Sequence, residues 1–213
     1  MSSLWQLQDE VEWATVLGTY DNVVGSLEEP LHELELWYHK ELPALLKAQG
    51  HITQPQLARL MQWKLSKGKW RPRLQAFVDA LSDDEVQSTS SKAFVAIADG
   101  QLKEAIAAIS ELKGVGPATA SAVLAAFDSS VPFMGDEALN ALAKTIGARQ
   151  YTLPHFLRFA TALRERASVL GASWTAQAVQ RTLWLEARAT ASPAKPKRKN
   201  ESAAQAPAKK RKR

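Results

Sequence analysis

Nine residues, Leu112-Lys113-Gly114-Val115-Gly116-Pro117-Ala118-Thr119-Ala120, constrain the fold of this chain more than any others. Leu102, Ile106, Ile109 and Leu112 recur at helical spacing before the glycines, and Ala120, Val123, Leu124 and Phe127 do so after them. Two helices joined by so short a Gly-x-Gly turn predict a tight αα-hairpin. Glycine at 114 and 116 permits φ > 0 and the close approach of another backbone. Pro117 suits the first turn of the second helix, where its missing N–H costs least. The free amides of that helix start, at the positive end of the macrodipole, form a site for an anion such as a phosphate. The bland alternative is a helix connector that carries two glycines.

The remainder of the chain reads as helices. A short helix is expected from Trp5 to Leu17, with Trp5, Val11 and Trp13 facing in, then a turn-rich connection from Gly18 to Leu27. Glu28 to Gln49 follows, with Leu31, Leu34, Trp37, Leu45 and Leu46 on its buried side. Pro43 should kink or divide it and Gly50 should cap it. Thr53 and Gln56 form a capping box, and Ile52 with Leu57 a hydrophobic staple, for a helix that stops at Gly68. Pro72 opens another helix, and Ser82 with Glu85 forms a second capping box. The triplet Asp83-Asp84-Glu85 then falls in a helix first turn, which the dipole favours and which explains it better than a metal site does. Beyond the hairpin, helices are expected over Glu137 to Ile146, Pro154 to Leu170 and Thr175 to Ala189, after a loop whose extended centre is Val131-Pro132-Phe133. Strand-like alternation is absent, so the expected class is all-α, with roughly nine or ten helices in a domain over residues 1–189.

Charge divides the chain at the end of that domain. The whole carries +5, but Thr190 to Arg213 holds nine Lys/Arg against one Glu, which leaves the preceding residues slightly acidic. Any nucleic-acid-binding face on the helical part must therefore be local. Residues 190–213 are rich in Ala, Pro, Lys and Arg without apolar periodicity, and disorder is expected there. Lys195, Lys197, Arg198 and Lys199, then Lys209, Lys210, Arg211, Lys212 and Arg213, make two basic clusters spaced like a bipartite nuclear localisation signal. The expectation is a nuclear protein bound by an import receptor. A tail that binds nucleic acid by counterion release is compatible with it. The N-terminus has neither a basic n-region nor a long apolar run, and no membrane span is expected. The absence of cysteine removes thiolate zinc sites and any iron–sulfur cluster. The histidines His32, His39, His51 and His155 follow no metal-ligand spacing.

The hairpin stretch resembles the helix-hairpin-helix motif of DNA-binding proteins. In that motif Val115 plugs the turn into the core. A second stretch, Val131-Pro132-Phe133-Met134-Gly135-Asp136-Glu137-Ala138-Leu139, strengthens the likeness. In the HhH-GPD superfamily of DNA glycosylases such a hairpin, here about residues 101–127, is followed by a Gly/Pro-rich loop, here about 128–136, that ends in an essential aspartate. The resemblance implies that Asp136 stabilises an oxocarbenium-like state and orients water, with the target base flipped out of the stack. It implies that Gly114, Val115 and Gly116 grip a DNA phosphate, with Lys113 and Thr119 beside them. It further implies a structural monovalent cation on the carbonyls of Ser110, Leu112 and Val115, with no other cofactor required. The chain departs from the family at two places. Strand-cleaving members have a hairpin lysine where Ala118 stands, so any excision would be monofunctional. The family's Thr-His-x-x-Arg after the aspartate is replaced by Glu137, Ala138 and Ala141. A helix cap is the alternative role for Asp136.

One more stretch carries chemistry. Between Pro55 and Val78 stand Arg59, Lys64, Lys67, Lys69, Arg71 and Arg73, with no acidic residue and with Trp70 embedded among them. A basic turn with an aromatic can contact phosphate and stack on a base, and Lys67, Lys69, Trp70, Arg71 and Arg73 are the candidates. A solvated loop with Trp70 in the core is the alternative, and the other tryptophans read as core anchors. Together with the hairpin run, this stretch is also similar to a eukaryotic family related to these glycosylases that has no assigned activity. Duplex DNA is thus the expected partner, with monofunctional base excision through Asp136 as the enzymatic version. The competing expectations are a non-catalytic module in a chromatin or repair complex and a hairpin that serves protein contacts alone.

Overall fold

The computed structural model describes residues 4–68 and 70–190, whose regular structure is all helical, with no strand among them. A 3-10 turn at Leu4–Gln6 precedes α1 (Glu10–Leu17) and α2 (Tyr20–Gly25). The expected single first helix is divided because Asp9 accepts the Val11 amide and starts a new one. Val11 is exposed on α1 instead of facing in. The stretch read as turns from Gly18 holds α2, whose Val24 packs beside Trp184.

α3 (Leu31–Leu36) runs into a π-helical segment, Trp37–Glu41, and then α4 (Leu42–Gln49). Pro43 explains the wider turn. It offers no N–H and its ring crowds the carbonyl four residues back, and the Leu42 amide donates to Trp37, five residues away. Leu45 lies at the surface, contrary to its expected place, and Gly50 closes α4 at φ +71°. α5 (Gln54–Lys67) begins with the reciprocal Thr53–Gln56 capping box over a buried Ile52 and Leu57. α6 (Pro72–Asp79) and α7 (Asp83–Ala98) follow. Asp83 at the start of α7 accepts the Gln54 amide at 2.7 Å and ties the starts of α5 and α7 together.

α8 (Leu102–Ser110) and α9 (Pro117–Phe127) form the hairpin. Every residue of α9 from Ala118 to Ala126 is buried, and the helix packs against α4, α5, α7, α8 and α12. A helix buried on all sides must be apolar all round. Its small alanines let the neighbours approach closely. α10 (Asp136–Ala141), α11 (Ala143–Ile146), α12 (Leu153–Leu170) and α13 (Ala176–Thr190) complete the described chain. The thirteen α-helical segments among the described residues exceed the expected nine or ten because the first two read as one helix and a loop, and two expected helices are divided. One continuous core runs from Leu4 to Leu183 and takes in five of the tryptophans. Trp184 packs in a smaller cluster with Val24 and Leu185, and Trp70 stands at the surface. No helix among the described residues is long and apolar enough to cross a membrane.

Candidate nucleic-acid interface

The hairpin turn is shaped first by packing. Gly114 has φ +87°, and a Cβ placed there would lie 2.7 Å from Cβ of Phe77 and 3.3 Å from the Leu74 carbonyl. The turn thus rests directly on α6. Gly114→Ala is expected to cost about 1–3 kcal/mol through backbone strain and overpacking, read as a fall in the urea midpoint. Gly116 is extended, and a Cβ there meets nothing within 4 Å. Gly116→Ala is expected to cost less than about 1 kcal/mol. Val115 is buried between the two, its amide donating to the Leu112 carbonyl at 2.9 Å. The carbonyls of Ser110 and Val115 accept no backbone N–H among the described residues.

Gly116 is the N-cap of α9, and its carbonyl accepts the amides of Thr119 and Ala120. The amides of Gly116 and Ala118 donate to no backbone carbonyl among the described residues. Gly116, Pro117, Ala118 and Thr119 line a cavity of about 280 Å³. Its other walls are Lys64, Leu65, Lys67, Arg71 and Leu74 from α5 and the α5–α6 region, Phe133 and Met134 from the loop after α9, and Asp136, Glu137 and Tyr151.

Ser121 fixes the loop that delivers Asp136. Its hydroxyl donates to the Ala118 carbonyl and accepts the Met134 amide, both at 2.9 Å and buried. Gly135 is pressed between the Phe133 ring and the Gln180 amide, where a Cβ would stand 3.1 and 3.2 Å from them. Phe133 packs 5.0 Å from Trp63, which stacks on Tyr38 at 3.6 Å, so the aromatic wall of the cavity continues into the core.

Asp136 is the first residue of α10, whose cap is Gly135, so the helix-cap role for its side chain is not what the structure has. Tyr151 donates its hydroxyl to Oδ1 at 2.6 Å, and Arg149 is ion-paired with Oδ2 at 3.0 Å. The carboxylate is half exposed. Burial and then the Asp136 carboxylate push the Tyr151 phenol up to about 12, so it remains a donor across the physiological range. Neither partner was visible in the sequence as part of the site. An Arg-Gln-Tyr run in a polar connection after Gly147 carries no periodic signal.

Lys67 is the last residue of α5 and not part of a solvated turn. Its ammonium is buried, 2.8 Å from Oε2 of the fully buried Glu35 and 3.6 Å from the centre of the Trp184 ring. Trp63 donates its indole N–H to the same Glu35 oxygen at 2.6 Å, and His39 Nε2 lies 3.2 Å from the other. Burial alone would raise the Glu35 carboxyl, but Lys67 and His39 outweigh it and hold it below the usual carboxylate range. Lys67 touches the cavity while its charge is spent on Glu35.

Lys64, one turn earlier on α5, is placed differently. It borders the cavity and has no ion pair among the described residues. Burial pushes its ammonium down, Arg71 adds to that, and Asp136 opposes it. Trp70 is 53% exposed and Arg71 and Arg73 are exposed beside it, so the core alternative for this tryptophan falls away. Lys113 and Arg73 both lie over the Phe77 ring, 4.9 and 6.0 Å from its centre, and join the hairpin turn to the α5–α6 turn in one basic surface. Lys69 and the basic clusters Lys195–Lys199 and Lys209–Arg213 fall outside the described residues.

Comparison of the chain with protein-family models, with curated proteins and with solved structures finds no match.

Proposed function

We propose that this chain binds duplex DNA and excises a base that it receives in the cavity between the hairpin and α5. One observation carries the reading: Asp136 faces a base-sized, aromatic-walled cavity whose rim is the start of α9 and whose flank is basic. The unpaired amides of Gly116 and Ala118, at the positive end of an 11-residue helix, suit a backbone phosphate. Lys113, Arg71 and Arg73 continue that path across the surface. Trp70, projecting beside them, is suited to stack on a base or fill the gap left by an extruded one. A monovalent cation on the carbonyls of Ser110, Leu112 and Val115 belongs to the same proposal. It would brace the turn and add positive charge near the phosphate.

In the cavity, Phe133 and Tyr151 would bound the base. Asp136 would face the sugar as its glycosidic bond breaks, stabilising positive charge at C1′ and holding the attacking water. The clamp by Arg149 and Tyr151 fixes the carboxylate's direction, a preorganisation that such electrostatic stabilisation requires. The same clamp favours a second reading, in which Asp136 is a structural anchor and the protein is a non-catalytic DNA-binding module. The basic tail fits nuclear import under either reading.

A panel of duplexes carrying deaminated, alkylated or oxidised bases separates the two. Release of one class of base by the wild type, lost in Asp136→Asn, supports excision. Tight binding with no release from any duplex supports the module. Binding itself is tested in a chain ending at Thr190, which removes the tail's contribution. Gly116→Arg, blocking the amides, and Trp70→Ala are each expected to weaken DNA binding by about 1–3 kcal/mol with the melting curve unchanged. Wild-type affinity in both variants would remove the hairpin and the tryptophan from the interface.

A further inference from the structure

The excision reading gives Lys64 no work and takes Arg71 only as part of the outer basic surface, yet both line the cavity. Lys64 is partly buried and Arg71 is exposed. Neither makes an ion pair among the described residues, whereas Lys67 is locked to Glu35. Burial and then Arg71 disfavour the charged form of Lys64, so the two cations stand within reach of one another. The acids of the cavity do not answer them. Asp136 offsets part of that effect, but its two oxygens are engaged by Tyr151 and Arg149. Glu137 acts on Lys67 instead. Two like charges set together in a partly desolvated wall repel, and an anion between them removes that cost.

Shape and charge narrow the anion. At about 280 Å³ the cavity lies just below the range of about 300–1,000 Å³ usual for small-ligand sites, and its Phe133 and Tyr151 rings suit a base. An internal phosphodiester carries a single charge and its chain continues on both sides. It cannot reach a wall lysine without drawing both continuations into that space. A terminal phosphate brings the chain in on one side only and carries a charge of about −1.5 to −2 at neutral pH. We propose that the cavity binds a nucleotide by its terminal phosphate, held between Lys64 and Arg71, with the base against Phe133 and Tyr151. A phosphorylated strand end at a DNA break and a free mononucleotide present this same phosphomonoester. The proposal shares with the excision reading only the entry of a base into the cavity.

The test measures binding of the full chain to gapped duplexes that are identical except at the gap, which carries a 5′ phosphate, a 3′ phosphate or hydroxyls alone. A terminal phosphate on one side of the gap is expected to tighten binding about 10-fold or more over hydroxyls. The methyl ester of that phosphate should lose most of the gain. Lys64→Gln and Arg71→Gln should each bring the phosphorylated duplex to within about twofold of the hydroxyl one, with the melting curve unchanged. Deoxynucleoside monophosphates form the second arm, with nucleosides and inorganic phosphate as controls. Competition by the monophosphates without any gain at strand ends assigns the site to a free nucleotide. A gain at strand ends without such competition assigns it to DNA breaks. No gain from a terminal phosphate in either arm overturns the proposal. So does a gain that survives in both variants, or a methyl ester bound as tightly as the monoester. Base release from intact damaged duplexes is a separate readout, so either reading can fail while the other stands.

Discussion

Asp136→Asn is expected to slow base release about 100- to 10,000-fold while leaving the fold and the affinity for DNA unimpaired. The carboxylate's negative charge is what the developing cation at C1′ would feel, and an amide removes it without changing shape. Tyr151 can still donate to the remaining carbonyl oxygen. The position is half exposed at the first turn of α10, so the substitution leaves no buried group stranded. If the cavity faces DNA as proposed, removing an acid from it also lowers repulsion with phosphate, so affinity should hold or rise. Tyr151→Phe provides a graded companion. It deletes one hydrogen bond to Oδ1 and keeps the Arg149 pair, so a smaller loss of rate is expected. Single-turnover kinetics on a released substrate would check both, and a rate unchanged in Asp136→Asn would leave the carboxylate as a structural anchor.

The largest effect on stability is expected at Glu35→Gln. The amide keeps a carbonyl for the Trp63 indole but strands the Lys67 ammonium in the core, at a cost of about 3–5 kcal/mol. The pH dependence should change sign. In the wild type Glu35 is held below its ordinary value of 4.5, so its contribution is present at neutral pH and is lost as pH falls through the lowered value. In the variant that acid limb is gone. Lys67, already below its ordinary 10.5 through burial, then binds fewer protons folded than unfolded. Stability should therefore recover as pH rises between the lowered value and 10.5. Urea titrations from pH 4 to pH 10 on both proteins would show it. A variant as stable as the wild type at neutral pH would mean that the buried pair contributes nothing net.

The hairpin was legible because its signals are local. Gly114, at φ +87°, and Pro117, in the first turn of α9, each answer a local backbone requirement, whereas Gly116 is extended with open space at its Cα, and α8 and α9 begin and end close to where the apolar spacing places them. The Thr53–Gln56 box and the cap at Gly50, with φ +71°, were readable for the same reason. The family resemblance pointed to Asp136 but said nothing of what holds it. Arg149 and Tyr151 come from a connection 13 and 15 residues on, where nothing periodic marks them. Glu35 and Lys67 stand 32 residues apart and resembled ordinary surface charges until the fold buried them together. The tryptophan-bearing basic turn divided in the same way. Trp70 and Arg71 stayed outside, while Lys67 went into the core because the helical face that carries Trp63 turns it inward. Pairings across folded distance leave no trace in spacing, and these are the ones that set the charge of the site.

If the cavity receives DNA as proposed, the burial of α9 on every side decides which partner must yield. Interlocked alanines give that helix no slack to slide or tilt, and Ser121 ties the Phe133–Gly135 loop to the same helix. The start of α9 and the loop that carries Asp136 are thus tied to one buried helix. The cavity's other wall is made by Lys64, Arg71 and Tyr151, which α9 does not hold in the same way. Under the proposed function a substrate would be selected by how readily its own backbone deforms to meet a fixed surface. Ease of extrusion, more than fit to a pliant pocket, would set the order in which lesions are taken.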